Sequence, residues 1–199
     1  MKSSQANILA MARATPILRA RDVREAGLAT SVLSRMVESG QLERVARGVY
    51  RHPDSEWNEH IFLSAVSAMM PKGVVVLLSA LNFHGIGTHQ AHSVWVQIPI
   101  NFPSPKIKYP PIEIVRTRLE AAFSEGVDDH NLNGVSVSIT NPARTVADCF
   151  KHRNKLGLEL CLEALREIVP TRCKIAEVLT YAKMNQVERL MLPYLEMLA

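Results

Sequence analysis

The chain has 199 residues, of which 47% are hydrophobic, 21% charged and 6% aromatic, enough to bury a core and unlike collagen-type or wholly disordered chains. Its longest apolar stretch, residues 74–81 broken by Ser79, falls far short of the roughly 20 residues a membrane helix needs, and residues 8–12 are too short for a secretory apolar region, so a cytoplasmic protein is expected. The net charge is +4, but residues 1–52 hold nine basic side chains against four acidic ones, a local +5 that suits a nucleic-acid-binding module.

Residues 4–14 predict a helix, with Ile8, Leu9 and Ala12 on one face and Ser3 or Ser4 to cap it. Thr15-Pro16 ends it, because a residue before proline avoids the α region, and Ile17-Leu18 is extended. A second short helix at 20–26 buries Val23 and closes at Gly27. A third opens at Ala29 or Thr30 and stops at Ser39-Gly40. Its pattern is two-faced: Val32, Leu33, Met36 and Val37 on one side, Ser31, Ser34, Arg35 and Glu38 opposite, Thr30 at the leading edge. Residues 41–51 read as two short strands turned at Arg47-Gly48. A helix-turn-helix followed by a basic ribbon is a winged helix. Thr30, Ser31 and Ser34 are small enough to let a helix enter the ~12 Å major groove, and Arg35 can reach a guanine edge or a phosphate. Arg44, Arg47 and Arg51 on the wing face the backbone or minor groove, and Arg19 and Arg21 join the candidate DNA-contacting set. Winged helices also serve as protein-interaction modules; the charge bias favours DNA.

His52-Pro53-Asp54-Ser55 reads as a linker between a winged-helix DNA-binding domain, 1–52, and an α+β domain, 55–199. Residues 57–70 predict an amphipathic helix with Trp57, Ile61, Ala65 and Ala68 on one face, stopped by Pro71-Lys72-Gly73. The apolar stretch 74–84 is ambiguous, with helix favoured from Leu78 and capped by Gly85. Residues 93–100, 112–118 and 135–139 are strand-like, and the proline-rich stretch 99–111 reads as a rigid surface loop. The acidic pair Asp128-Asp129 falls in a polar stretch, 125–133, expected to be a solvated turn. Asn141-Pro142 starts a helix through Phe150, Leu158 to Val169 carries another apolar stripe, and helices at 176–184 and 188–198 complete the chain. The fold class is α+β: an N-terminal winged helix-turn-helix followed by a mixed helix/sheet C-terminal domain.

Catalytic chemistry is not expected. Cys149, Cys161 and Cys173 have no C-x-x-C spacing and fall in helical segments, so they read as core thiols. His84, His89 and His92 lie close in sequence, but no carboxylate or thiol joins them there and their spacing is no metal motif. Gly85-Ile86-Gly87 lacks the further residues of a phosphate loop, and Glu113 stands alone on its strand where a nuclease needs clustered carboxylates and a lysine. No metal and no cofactor are expected.

Residues 27–30 and 40–51 resemble the N-terminal winged helix of the AbiEi family, antitoxins of type IV toxin–antitoxin pairs. Two later stretches, 78–86 (Leu78-Ser79-Ala80-Leu81-Asn82-Phe83-His84-Gly85-Ile86) and 143–157, which begins Ala143-Arg144-Thr145-Val146-Ala147-Asp148, are similar to that family's second domain. The resemblance implies a repressor of its own operon that binds paired half-sites in double-stranded DNA as inverted repeats. It also implies a counterpart to a nucleotidyltransferase toxin of the AbiEii type, with the second domain supplying antitoxicity. Within 143–157, Arg144 and Asp148 are spaced for a local i, i+4 ion pair. Lys151, Arg153 and Lys155 are candidates for a partner-facing patch, which a solvated helix end explains as well. Rival readings are a nucleic-acid-processing enzyme targeted by its winged helix, a lone regulator without a toxin, and a protein-binding adaptor.

Overall fold

The structure is a computed structural model that describes residues 2–55, 60–103, 107, 109–169 and 171–198. The chain begins with α1 (Lys2–Ala14), β1 (Leu18–Arg19), α2 (Ala20–Glu25) and α3 (Ser31–Glu38), followed by β2 (Glu43–Ala46) and β3 (Val49–Arg51). Then come α4 (Ile61–Met69), β4 (Val74–Val75), α5 (Leu77–His84), β5 (Val94–Pro99), β6 (Ile112–Thr117) and a 3-10 turn, Glu120–Phe123. The strands β7 (Val127–Leu132) and β8 (Val135–Thr140) lead into α6 (Pro142–Lys151), α7 (Arg153–Leu156), α8 (Leu158–Ile168), α9 (Ile175–Met184) and α10 (Glu188–Glu196). By its contacts the chain forms two compact units: residues 1–72, 104–112 and 130–137 in the first, and 73–103, 113–129 and 138–199 in the second. His52–Ser55 and the whole of α4 therefore lie inside the first unit.

In the first unit the apolar faces of α1 and α3 meet. Ile8, Ala12, Leu18, Val23, Val32, Leu33, Met36, Leu42 and Tyr50 form one buried cluster. Side chains of this kind contribute about 1.5–3 kcal/mol each when taken fully from water, which is what holds helices as short as α2 and α3 in place. A three-stranded antiparallel sheet in the order β1-β3-β2 completes the winged helix. The turn between β2 and β3 needs a residue at φ 73°, and Gly48 supplies it. Gly48's carbonyl accepts from the Ala20 amide at 2.8 Å, fastening the wing to the start of α2.

A five-stranded sheet has the order β6-β5-β4-β8-β7, with β4 antiparallel to β5 and parallel to β8; β4, β5 and most of β6 belong to the second unit, while residues 130–137 of β7 and β8 count with the first. The second unit has a helical core centred on Val146, Ala147, Phe150, Leu165, Ile168, Val178 and Met191. Asn141 caps α6 by accepting from the Arg144 amide at 2.9 Å, with Pro142 in the first turn, as the Asn-Pro pair predicts. The helix-favouring reading of 74–84 holds: only Val74 and Val75 are strand, and α5 runs to His84 with Gly85 left-handed at its end.

Two expectations need correction. Residues 127–132 are not a turn but an edge strand; its exposure pattern lacks apolar alternation because little of it is buried. The two residues joining β7 to β8, Asn133 and Gly134, have φ 55° and 77°, as a two-residue type I′ hairpin requires. The helix α4 is not two-faced: Ile61, Leu63, Ser64, Ala65, Val66 and Ser67 are all buried, so the chain encloses it. Its Ser64 hydroxyl donates to the Leu132 carbonyl at 3.0 Å, which satisfies a polar group on a buried helix. The expected start of that helix, with Trp57, lies outside the described residues.

Candidate nucleic-acid interface

The interface follows from how α3 is seated. Val32, Leu33 and Met36 face inward, and the opposite side is left to solvent: Thr30, Ser31, Ser34, Arg35 and Glu38 are all exposed. Thr30 stands at the N-cap, but its hydroxyl makes no capping bond. The first helix of the pair, α2, is closed by the Ala26 and Gly27 amides bonding back to Asp22 and Arg24 at 3.0 Å. Small hydroxyl-bearing residues around one long cation thus project from a short helix with a tight turn before it. That arrangement can enter a major groove.

The expected arginines separate into three groups. The side chains of Arg35, Arg44 and Arg47 are exposed and make no hydrogen bond or ion pair among the described residues, so their charge is available. The side chain of Arg24, outside the expected set, belongs with them. Arg19 is half-committed: its Nε lies 2.8 Å from Asp22, whose carboxylate also accepts from the Arg19 amide at 3.2 Å. Arg21 remains half-exposed, 3.9 Å from the same carboxylate.

Arg51 must be removed from the set. Its side chain is 4% exposed, with the guanidinium 2.6 Å from Glu43 and donating to the Ser55 carbonyl at 2.7 Å. The cause is register: Glu43 and Arg51 stand directly opposite across β2 and β3, and Arg51 is buried beneath a Glu43 that stays exposed. Arg13, outside the expected set, is exposed at the end of α1 and donates to His52 at 3.2 Å.

In the second unit, the three cations expected to face a partner are engaged within the chain. Lys151 donates to Asn185 at 3.2 Å, Arg153 donates to the Phe150 carbonyl at 3.1 Å, and Lys155 pairs with Glu113 at 2.8 Å while lying 4.4 Å above the Trp95 ring. The Arg144–Asp148 pair is present, and it is buried. The histidine-bearing loop after α5 does meet carboxylates, from α8. Glu163 accepts from the Thr88 amide and hydroxyl and sits 3.3 Å from His89, and Glu167 accepts from the Gly87 amide at 2.7 Å. The Thr88 hydroxyl holds the Glu163 carboxyl below its ordinary range. His84 bonds instead to the Thr140 carbonyl at 2.7 Å. These acids fasten a loop to a helix; among the described residues no group of three His, Cys, Asp or Glu could hold a metal ion. The thiols are core side chains as expected, with burial pushing Cys161 up to about 11 and Cys149 well above its ordinary value.

Residues 7–53 match the family model described as transcriptional regulator, AbiEi antitoxin. This segment is similar to the AbiEi-family domain. The match covers the whole helix-turn-helix and wing, with the exposed face of α3 and the free wing arginines inside it. The fold of the chain is also that of a solved structure, the RV2827C protein from Mycobacterium tuberculosis, with a TM-score of 0.67 over 97% of this chain and 77% of that one, at 14% identity. No curated protein matches the chain. No helix among the described residues is long and apolar enough to cross a membrane.

Proposed function

We propose that the chain is a cytoplasmic, DNA-binding repressor of its own operon and the antitoxin that counters a nucleotidyltransferase toxin of the AbiEii type. Its DNA target is an operator with inverted repeats, and it acts as a regulator rather than an enzyme. The observation that carries this reading is the outward face of α3, Thr30, Ser31, Ser34 and Arg35, beside unpaired Arg44 and Arg47, all within the AbiEi-family match. In this reading α3 reads bases and the wing holds phosphates. Arg35→Ala should lower operator affinity by roughly 1–3 kcal/mol while sparing random duplex. Equal loss on both would put Arg35 on a phosphate.

Arg47→Ala should weaken binding to every duplex alike and reduce the log–log salt slope by about one, because one fewer phosphate is neutralised. An unchanged slope would mean that the wing does not touch DNA. We assign antitoxicity to the part of the chain beyond the wing. A start at Ser55 would divide the first compact unit, so the test uses the full chain. An Arg35→Ala/Arg47→Ala double variant that no longer binds the operator should still restore growth arrested by the co-expressed toxin. Failure of a soluble double variant to rescue would show that antitoxicity requires the DNA-binding face.

A further inference from the structure

A cleft of about 530 Å³ opens in the second unit at the ends of β5 and β6, lined by Ile100, Asn101, Thr117, Arg118, Glu120 and Phe123 among others. That volume lies within the ~300–1,000 Å³ range of small-ligand sites. Its walls are held by hydrogen bonds. Arg116 donates to the carbonyls of Ile100 and Phe102 at 3.1 and 2.7 Å, and the Ile100 amide donates to Thr117 at 2.9 Å. Gln97 donates to the Ala122 carbonyl at 2.9 Å, fixing the turn that carries Glu120 and Phe123, and Phe123 packs on the helical core. Three polar side chains on this fixed frame are unspent: those of Asn101, Arg118 and Glu120 are exposed and make no hydrogen bond or ion pair among the described residues.

A guanidinium and a carboxylate that share a cleft without pairing suit a ligand anionic at one end and donating at the other. A carboxylate only accepts, so Glu120 selects a partner with N–H groups side by side. A guanidinium is a planar fork of donors that fits a phosphate, and a half-buried phenyl ring offers a stacking surface for a flat heterocycle. Among nucleobases, the guanine edge presents N1–H next to N2–H₂, whereas the adenine edge alternates donor with acceptor. We propose that this cleft binds a guanine nucleotide unit, with Phe123 against the base, Glu120 accepting from N1–H and N2–H₂, and Arg118 on the phosphate. The unit is either a free nucleotide or an unpaired guanosine of a single strand, and the assignment is independent of operator binding.

The test is calorimetric titration of the full chain with GMP, with AMP, and with a short unstructured RNA containing one guanosine. Saturable GMP binding is expected below a Kd of ~1 mM. AMP should bind about tenfold more weakly or worse, and Arg118→Ala and Glu120→Gln should each cost GMP a similar factor, as expected for lost hydrogen bonds to charged groups. Both positions are exposed, so melting temperatures should not move; if the alanine lowers it, Arg118→Gln takes its place. Binding of GMP assigns the free nucleotide, and binding of the RNA alone, with the same dependence on Arg118 and Glu120, assigns the single strand. Absence of saturable binding by both, equal affinity for AMP, or affinity indifferent to both substitutions would overturn the proposal.

Discussion

Replacing Arg144 by alanine should destabilise the second unit by roughly 3–5 kcal/mol, the range for removing one partner of a buried ion pair. On an exposed helix an i, i+4 pair is worth only a few tenths of a kcal/mol. Here Arg144 and Asp148 are 1% and 4% exposed, and Nε donates to both carboxylate oxygens at 3.0 Å. The rest of the guanidinium donates to the carbonyls of Glu125 and Ala122, residues of the chain between β6 and β7. Asp148 also accepts from Asn185 at 2.6 Å, which brings the end of α9 into the same network. Truncation at 144 leaves a buried carboxylate with Asn185 as its remaining donor and the Glu125 carbonyl without one, while Ala122 keeps Gln97, and burial makes each deficit costly. Urea unfolding should show the loss as a lower midpoint. Replacing the pair together, Arg144→Met with Asp148→Leu, should cost less than Arg144→Ala, because no charge is then stranded. A drop below about 1 kcal/mol for Arg144→Ala would mean that water reaches the site and that the pair behaves as a surface one.

Leu33→Ala should weaken operator binding as much as Arg35→Ala or more, by a different route. Leu33 is 1% exposed at the centre of the cluster joining α1, α3 and the wing, and a buried Leu→Ala change costs roughly 2–5 kcal/mol. A helix of eight residues has almost no stability of its own, so loosening its seat disorders the face that would meet DNA. The two substitutions separate in a thermal melt. Leu33→Ala should lower the transition of the first unit and Arg35→Ala should leave it unchanged, since the Arg35 side chain is exposed and makes no hydrogen bond or ion pair among the described residues. If Leu33→Ala melts like the parent protein, α3 is not held by this cluster.

Both sites bear on how much of the molecule could be read before it was folded. The winged helix was legible almost to the residue because its signals are local: the 3.6-residue alternation in α3, the stops at Gly27 and Gly40, and the Arg47-Gly48 turn each depend on neighbours within a few positions. The hairpin β7–β8 was legible in part. Asn133-Gly134 is a strong local turn signal, yet Val127–Leu132 carries no apolar alternation, because an edge strand with most of its surface in water has none to carry. The cap of α6 by Asn141 and the i, i+4 spacing of Arg144 and Asp148 were also written in adjacent residues.

Burial and pairing across the chain were decided elsewhere. Nothing near Arg51 in sequence distinguishes it from Arg44 or Arg47; only the strand register that sets it against Glu43 turns its charge inward. The carboxylates that meet the loop after α5 come from some 75 to 80 positions away, where periodicity has no reach. Enclosure of α4 likewise depends on residues from distant segments, among them Leu132 and Asn133. Propensity and hydrophobic period act over one or two turns of chain, so the sequence by itself determined which helices and turns form and which face of α3 is apolar. Desolvation acts through whatever the folded chain brings within a few ångströms, so only the tertiary structure decided which charges remain free to meet a ligand.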